Sequence, residues 1–140
     1  MKLIAHRGNF KQKNIEKENS ISYIEEAITN GFDCEIDIWA KNQLWLGHDK
    51  PEHACPLSFL FKHSKKLWIH CKNLQALEIL INFKSLNIFW HQEDDFTLTS
   101  QGFIWTYPNK NVGPNSVLVT NNAKDYCGER CFGLCSDILV

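Results

Sequence analysis

Short apolar runs, each ending in a polar or ionisable residue, recur along the chain. Lys2–Ala5 leads to His6, Phe32–Trp39 carries Glu35 and Asp37, and Leu44–Gly47 leads to His48-Asp49. Leu67–Ile69 precedes His70, Asn87–Trp90 precedes His91, and Gly102–Trp105 precedes Thr106-Tyr107. Ser116–Val119 precedes Thr120-Asn121, and Phe132–Cys135 precedes Ser136-Asp137. Their length and their β-branched and aromatic content predict eight strands. A helical period appears between some of them. Ile21, Ile24, Ala27 and Ile28 predict a helix over Ser20–Asn30, stopped by Gly31, with Asn19 or a Ser22…Glu25 capping box at its start. Leu74, Leu77, Leu80 and Ile81 predict a second over Leu74–Phe83, with Asn73 as N-cap, and Pro56–His63 forms a weaker third. Lys41-Asn42-Gln43 is too short for a crossover helix, and no helix is predicted beyond Trp90.

Early βα units with continuous apolar strands predict a largely parallel sheet with both faces covered. Eight such strands predict an α/β fold: one domain over residues 1–140, a compact (β/α)8 TIM-type barrel with several helices missing or shortened, especially in the second half. A barrel of that type ordinarily takes about 200 residues or more. The competing arrangement is an open mixed sheet. A barrel short of helices leaves apolar flanks bare, which predicts a homo-oligomer.

Composition narrows the function classes. A formal net charge of −1 provides no basic field for nucleic acid. No apolar run is long enough for stable membrane insertion, and the start of the chain does not read as a secretory signal, so a cytoplasmic location is expected. Cys34 and Cys71 sit inside apolar runs as buried free thiols do, and the CxxxCxxxC spacing of Cys127, Cys131 and Cys135 is not a common zinc spacing.

In parallel α/β folds the C-terminal strand ends face one crevice, so His6, Glu35, Asp37, His48, His70 and Lys72 are expected to converge there, with His91 as a further candidate. Glu35 and Asp37 stand on one face of a strand about 7 Å apart, and such a pair in a buried run calls for a counter-charge. Hard cations such as Mg2+ or Ca2+ suit these oxygens. A solvated acidic face on an edge strand is the plainer alternative. His6 and His48 suit proton transfer near neutral pH. Arg7-Gly8 presents a fork of donors beside a residue that permits close approach, as a phosphate requires, and Arg7 is also placed to pair with Glu18.

Ile4-Ala5-His6-Arg7-Gly8, Glu18-Asn19-Ser20, Glu35-Ile36-Asp37 and His48-Asp49 together resemble the ordered signature of the glycerophosphodiester phosphodiesterase family over the first 50 residues. The resemblance implies a (β/α)8 barrel that hydrolyses a small phosphodiester with a divalent metal. It implies His6 and His48 as the acid/base pair, with Lys72 assisting catalysis. Glu35 and Asp37 are implied as metal ligands, Arg7 as the phosphate contact, and Glu18 and Asn19 as supporting residues. Where the family carries a metal-binding Glu in a Glu-x-Lys motif, this chain has His70-Cys71-Lys72. His70 then becomes the third ligand and admits Mn2+ or Zn2+. A phospholipase-like action on lipid headgroups belongs to the same class. The reading from a different class is a non-catalytic, degenerate barrel that binds a phosphorylated ligand or a protein partner.

Overall fold

The computed structural model describes residues 1–140 and corrects the barrel expectation: the chain is mostly sheet, ten strands in a curled mixed half-barrel with three α-helices. The strands are β1 (Lys2–His6), β2 (Asp33–Lys41), β3 (Gln43–Leu46), β4 (His53–Ala54), β5 (Leu67–Cys71), β6 (Ile88–Phe89), β7 (Phe96–Leu98), β8 (Ile104–Thr106), β9 (Ser116–Val119) and β10 (Gly133–Ser136). The helices are α1 (Ile21–Thr29), α2 (Leu57–Lys62) and α3 (Leu74–Leu80). Each of the eight apolar runs contains a strand, and β4 and β7 are additional.

The physical reason for the departure lies in β2 and β3. These strands form an antiparallel hairpin, with Trp39 opposite Trp45 and Lys41 opposite Gln43. A parallel neighbour needs a crossover of about a dozen residues, which the chain does not have here. Asn42 makes the turn at φ 63°, a conformation Asn tolerates better than most residues. β3 therefore extends one edge of β2 instead of taking a place in a parallel barrel. The parallel strands run β6-β5-β2-β1-β10-β9-β8, and β7 is antiparallel to β8. No ladder joins the two ends of this sheet. They are stitched by Ser100 N–H to Ile88 O (2.8 Å) and by Thr97 Oγ1–H to Trp90 O (3.0 Å).

Alternation along the strands divides two cores. On the outer face, Cys34, Ile36 and Ile38 of β2 and Leu67, Ile69 and Cys71 of β5 pack under Ile24 and Ala27 of α1, Leu60 of α2, and Ala76 and Leu80 of α3. The inner face holds Ile4, Trp68, Phe89, Trp105, Val117 and Cys135, each from a different strand. Phe89 stacks on Trp105 at 4.6 Å. Aromatic packing thus fills the lower part of the curl, and the polar side chains at the strand ends gather above it.

The helices sit close to their expected places. Gly31, at φ 94°, ends α1. The α1 N-cap is Ser20 and makes no side-chain cap bond, so neither expected capping arrangement forms. Asn73 caps α3 by accepting from Ala76 N–H, and also bonds both backbone groups of Ala40. No helix is long and apolar enough to cross a membrane. All six cysteines are free. Burial pushes Cys55 and Cys71 up to about 12 and Cys34 and Cys135 well above the ordinary thiol value. Cys127 is exposed, while Cys131 and Cys135 lie in separate core clusters.

Candidate functional site

The polar layer above the inner core is built on β2. Glu35 and Asp37 project from the same face of the strand, 3% and 0% exposed. In register beside them lie His6 on β1, opposite Glu35, and His70 on β5, opposite Asp37. Parallel pairing and side-chain alternation therefore bring three strands' polar residues to one place, as the sequence predicts.

The Asp37 carboxylate is divided between two environments. Its Oδ2 accepts from Asn19 Nδ2 (2.9 Å) and lies 3.1 Å from Arg7 Nε and 3.5 Å from His48 Nδ1. Asp37 N–H in turn donates to Asn19 Oδ1 at 3.0 Å. Oδ1 lies 3.1 Å from His70 Nδ1 and 3.9 Å from Lys72 Nζ, with no hydrogen bond. Burial pushes Asp37 up, but its contacts with His48, His70 and Arg7 hold it well below the usual carboxylate range. Glu35 lies 3.8 Å from His70 Nδ1 through Oε1 and 4.0 Å from His6 Nε2 through Oε2. Oε2 is buried without a donor. Burial, then the charge on Asp37, raises Glu35 above its ordinary value.

Each histidine is oriented by a second partner. His6 Nδ1 is 2.8 Å from Asp137 Oδ1, so Nδ1 carries the proton and Nε2 faces Glu35. Burial lowers the His6 pKa, but the Asp137 bond and the Glu35 charge leave it raised overall. Arg7 Nη2 approaches His48 Nε2 at 3.4 Å. Asp49 Oδ1 lies 3.5 Å from the same nitrogen, and Nδ1 faces Asp37. His70 Nε2 is 2.9 Å from His91 O.

Two turns make this placement work. Arg7 and Gly8 both take positive φ, 56° and 93°, and a Cβ on Gly8 would fall 2.8 Å from Tyr23 Cδ1. The turn carries Arg7 back over β2, where its Nη1 also donates to Glu18 Oε2 at 3.2 Å. After β3, a Cβ on Gly47 would overlap Lys50 O. Gly47 O accepts from Trp39 Nε1 at 2.6 Å, fixing the turn that presents His48.

All nine predicted site residues belong to this one network: His6, His48, Lys72, Arg7, Glu35, Asp37, His70, Glu18 and Asn19. Asn9 and Asp137 complete it. Asn9 is fully buried and donates through Nδ2 to both Glu18 Oε1 and Asp137 Oδ1, at 2.9 Å each. Asp137 was legible as the polar end of the last strand. Asn9 carried only its position after Arg7-Gly8.

Glu35, Asp37 and His70 each offer a ligand atom, all within 4.8 Å of one another. Two of these residues end in buried oxygens lacking a donor, as a cation site requires. A cleft of about 370 Å3 adjoins the network, lined by Arg7, Lys13, Glu18, Asn19, His48 and Asp49, among others. A larger cavity, about 710 Å3, lies beside the β2–β3 hairpin and α3 and is lined by none of the predicted site residues. No protein-family model, curated protein or solved structure matches the chain.

Proposed function

We propose that the chain hydrolyses small phosphodiesters with the aid of a divalent metal, by the His/His acid-base chemistry of the glycerophosphodiester phosphodiesterases that its strand-end residues resemble. The observation that carries this reading is the flanking of one buried carboxylate pair by two separately oriented imidazoles and a guanidinium. When bound by Glu35, Asp37 and His70, a divalent ion supplies Lewis-acid charge to a phosphate oxygen.

The remaining steps fall to side chains. Arg7, held by Asp37 and Glu18, lines the cleft beside the network and supplies positive charge there for a phosphate. Lys72 adds a second positive charge at Asp37. One of His6 and His48 takes the proton from the attacking oxygen as its bond to phosphorus forms. The other gives a proton to the departing alkoxide as the old P–O bond breaks. In a glycerol diester the neighbouring hydroxyl is the attacking group, and water then opens the cyclic phosphate. Asp137 holds the His6 ring in the tautomer that leaves Nε2 for this work.

The test is hydrolysis of bis(p-nitrophenyl) phosphate and of glycerophosphodiesters across several divalent metals, with and without chelator. Turnover is expected only with metal, and His6→Ala is expected to lose at least about 10²-fold, the usual contribution of a positioned general acid or base. Phosphate-ester binding without turnover under any metal would instead support a binding module and contradict the enzyme.

A further inference from the structure

We propose that the Glu35–Asp37–His70 site selects a transition-metal ion, Zn2+ foremost, over Mg2+ and Ca2+, because the His91 carbonyl aims the lone pair of His70 Nδ1 at the ion. The proposal rests on reading this cluster as the cation site and adds which ion it takes.

His91 O can only accept a hydrogen bond, so at 2.9 Å it fixes the proton of His70 on Nε2. Nδ1 is then the atom directed at Asp37 Oδ1 (3.1 Å) and Glu35 Oε1 (3.8 Å). The ring lies flat on Phe89, centroids 5.2 Å apart and planes 8° apart, which opposes its turning away. A nitrogen lone pair pointed at two carboxylates is repulsive unless a cation lies between them: a proton on Nδ1 in the metal-free protein, through which His70 holds Asp37 low, or a metal ion that displaces that proton.

The oxygens meet the same need. Asp37 Oδ2 is already taken by Asn19 and faces Arg7, whereas Asp37 Oδ1 and Glu35 Oε2 are buried without a donor. The protein therefore offers two carboxylates and one imidazole nitrogen. Mg2+ and Ca2+ bind through oxygen, Ca2+ with six to eight such ligands. Imidazole nitrogen favours zinc and its neighbours, and an outer partner that fixes the ring strengthens that donor. Using a backbone carbonyl for this purpose makes the orientation independent of the His91 side chain.

The test is calorimetric titration of chelator-treated protein with Zn2+, Mn2+, Mg2+ and Ca2+, alongside His70→Glu and His70→Gln, and histidine 15N NMR of the unaltered protein. Zn2+ is expected to bind tightest. In both variants its advantage over Mg2+ is expected to fall by at least about tenfold, the low end of the loss caused even by an outer partner. On adding Zn2+, one histidine should shift at Nδ1 while keeping its Nε2 proton; this readout needs no variant. Mg2+ binding as tight as Zn2+, an unchanged preference in both variants, or a zinc shift at Nε2 would overturn the proposal. If metal-dependent hydrolysis persists alongside such a result, the proposed function stands and only the ion selectivity falls. If no ion binds the unaltered protein, the cation site itself is lost.

Discussion

Replacing Glu35 by Gln raises the melting temperature of the chelator-treated protein by about 3 °C and lowers metal-dependent hydrolysis by roughly 10³-fold, the equivalent of several kcal/mol. The two effects share one cause. Glu35 is buried beside Asp37 on the same strand face, and its Oε2 has no donor. An acid whose pKa is raised on folding is one whose ionised form the fold disfavours, so neutralising it stabilises the metal-free protein at neutral pH. Leaving such a group unsatisfied costs on the order of 1–3 kcal/mol. Metal should reverse the order of stability, because a ligand at about 100 times its dissociation constant adds about 2.7 kcal/mol to a protein that binds it. Calorimetric melts with and without Zn2+ measure both arms. A lower melting temperature for the variant in chelator would mean that Glu35 is satisfied by something other than a cation.

Arg7→Ala is expected to destabilise the fold by about 3–5 kcal/mol, the cost of stripping a buried charge of its partner. Arg7 is the guanidinium between Asp37 and Glu18, both buried, and it also contacts His48. Its removal leaves Asp37 with Asn19, two imidazoles and the more distant Lys72 amine. Lysine cannot repeat the fork, so Arg7→Lys should fall between the two. Adding Glu18→Gln to Arg7→Ala should recover part of the loss, because one of the stranded charges is then gone. Denaturant unfolding of the single and double variants checks this. An Arg7→Ala protein within about 0.5 kcal/mol of the original would mark a surface-like arginine and dismiss the network.

Much of the site was legible because it follows from local rules. An apolar run ending in a polar residue marks a strand and the end where its chemistry sits. Alternation put Glu35 and Asp37 on one face, and parallel pairing with β1 and β5 brought His6 and His70 beside them. The barrel fails because β3, antiparallel to β2, cannot be one of its members. The signal against that was already present in Lys41-Asn42-Gln43, a turn too short for anything but a hairpin. β4 was missed because His53-Ala54 has no apolar run, and β7 because Phe96-Thr97-Leu98 directly follows the acidic stretch Glu93-Asp94-Asp95.

Other features had no local signature at all. Asn9 bridges residues 9 and 128 positions away, and the link between His70 and His91 spans 21. Such contacts depend on how the sheet curls, and sequence spacing does not encode that. The same holds for the aromatic floor, where Trp68, Phe89 and Trp105 meet from three strands.

Anomalous diffraction from crystals soaked in Zn2+ tests most directly whether three imidazoles and two carboxylates surround a cation. The expected result is one strong peak bonded to Glu35, Asp37 and His70 Nδ1, with His6 and His48 at its flanks. Metal held instead by exposed histidines or cysteines, with that pocket empty at saturating zinc, would contradict the account.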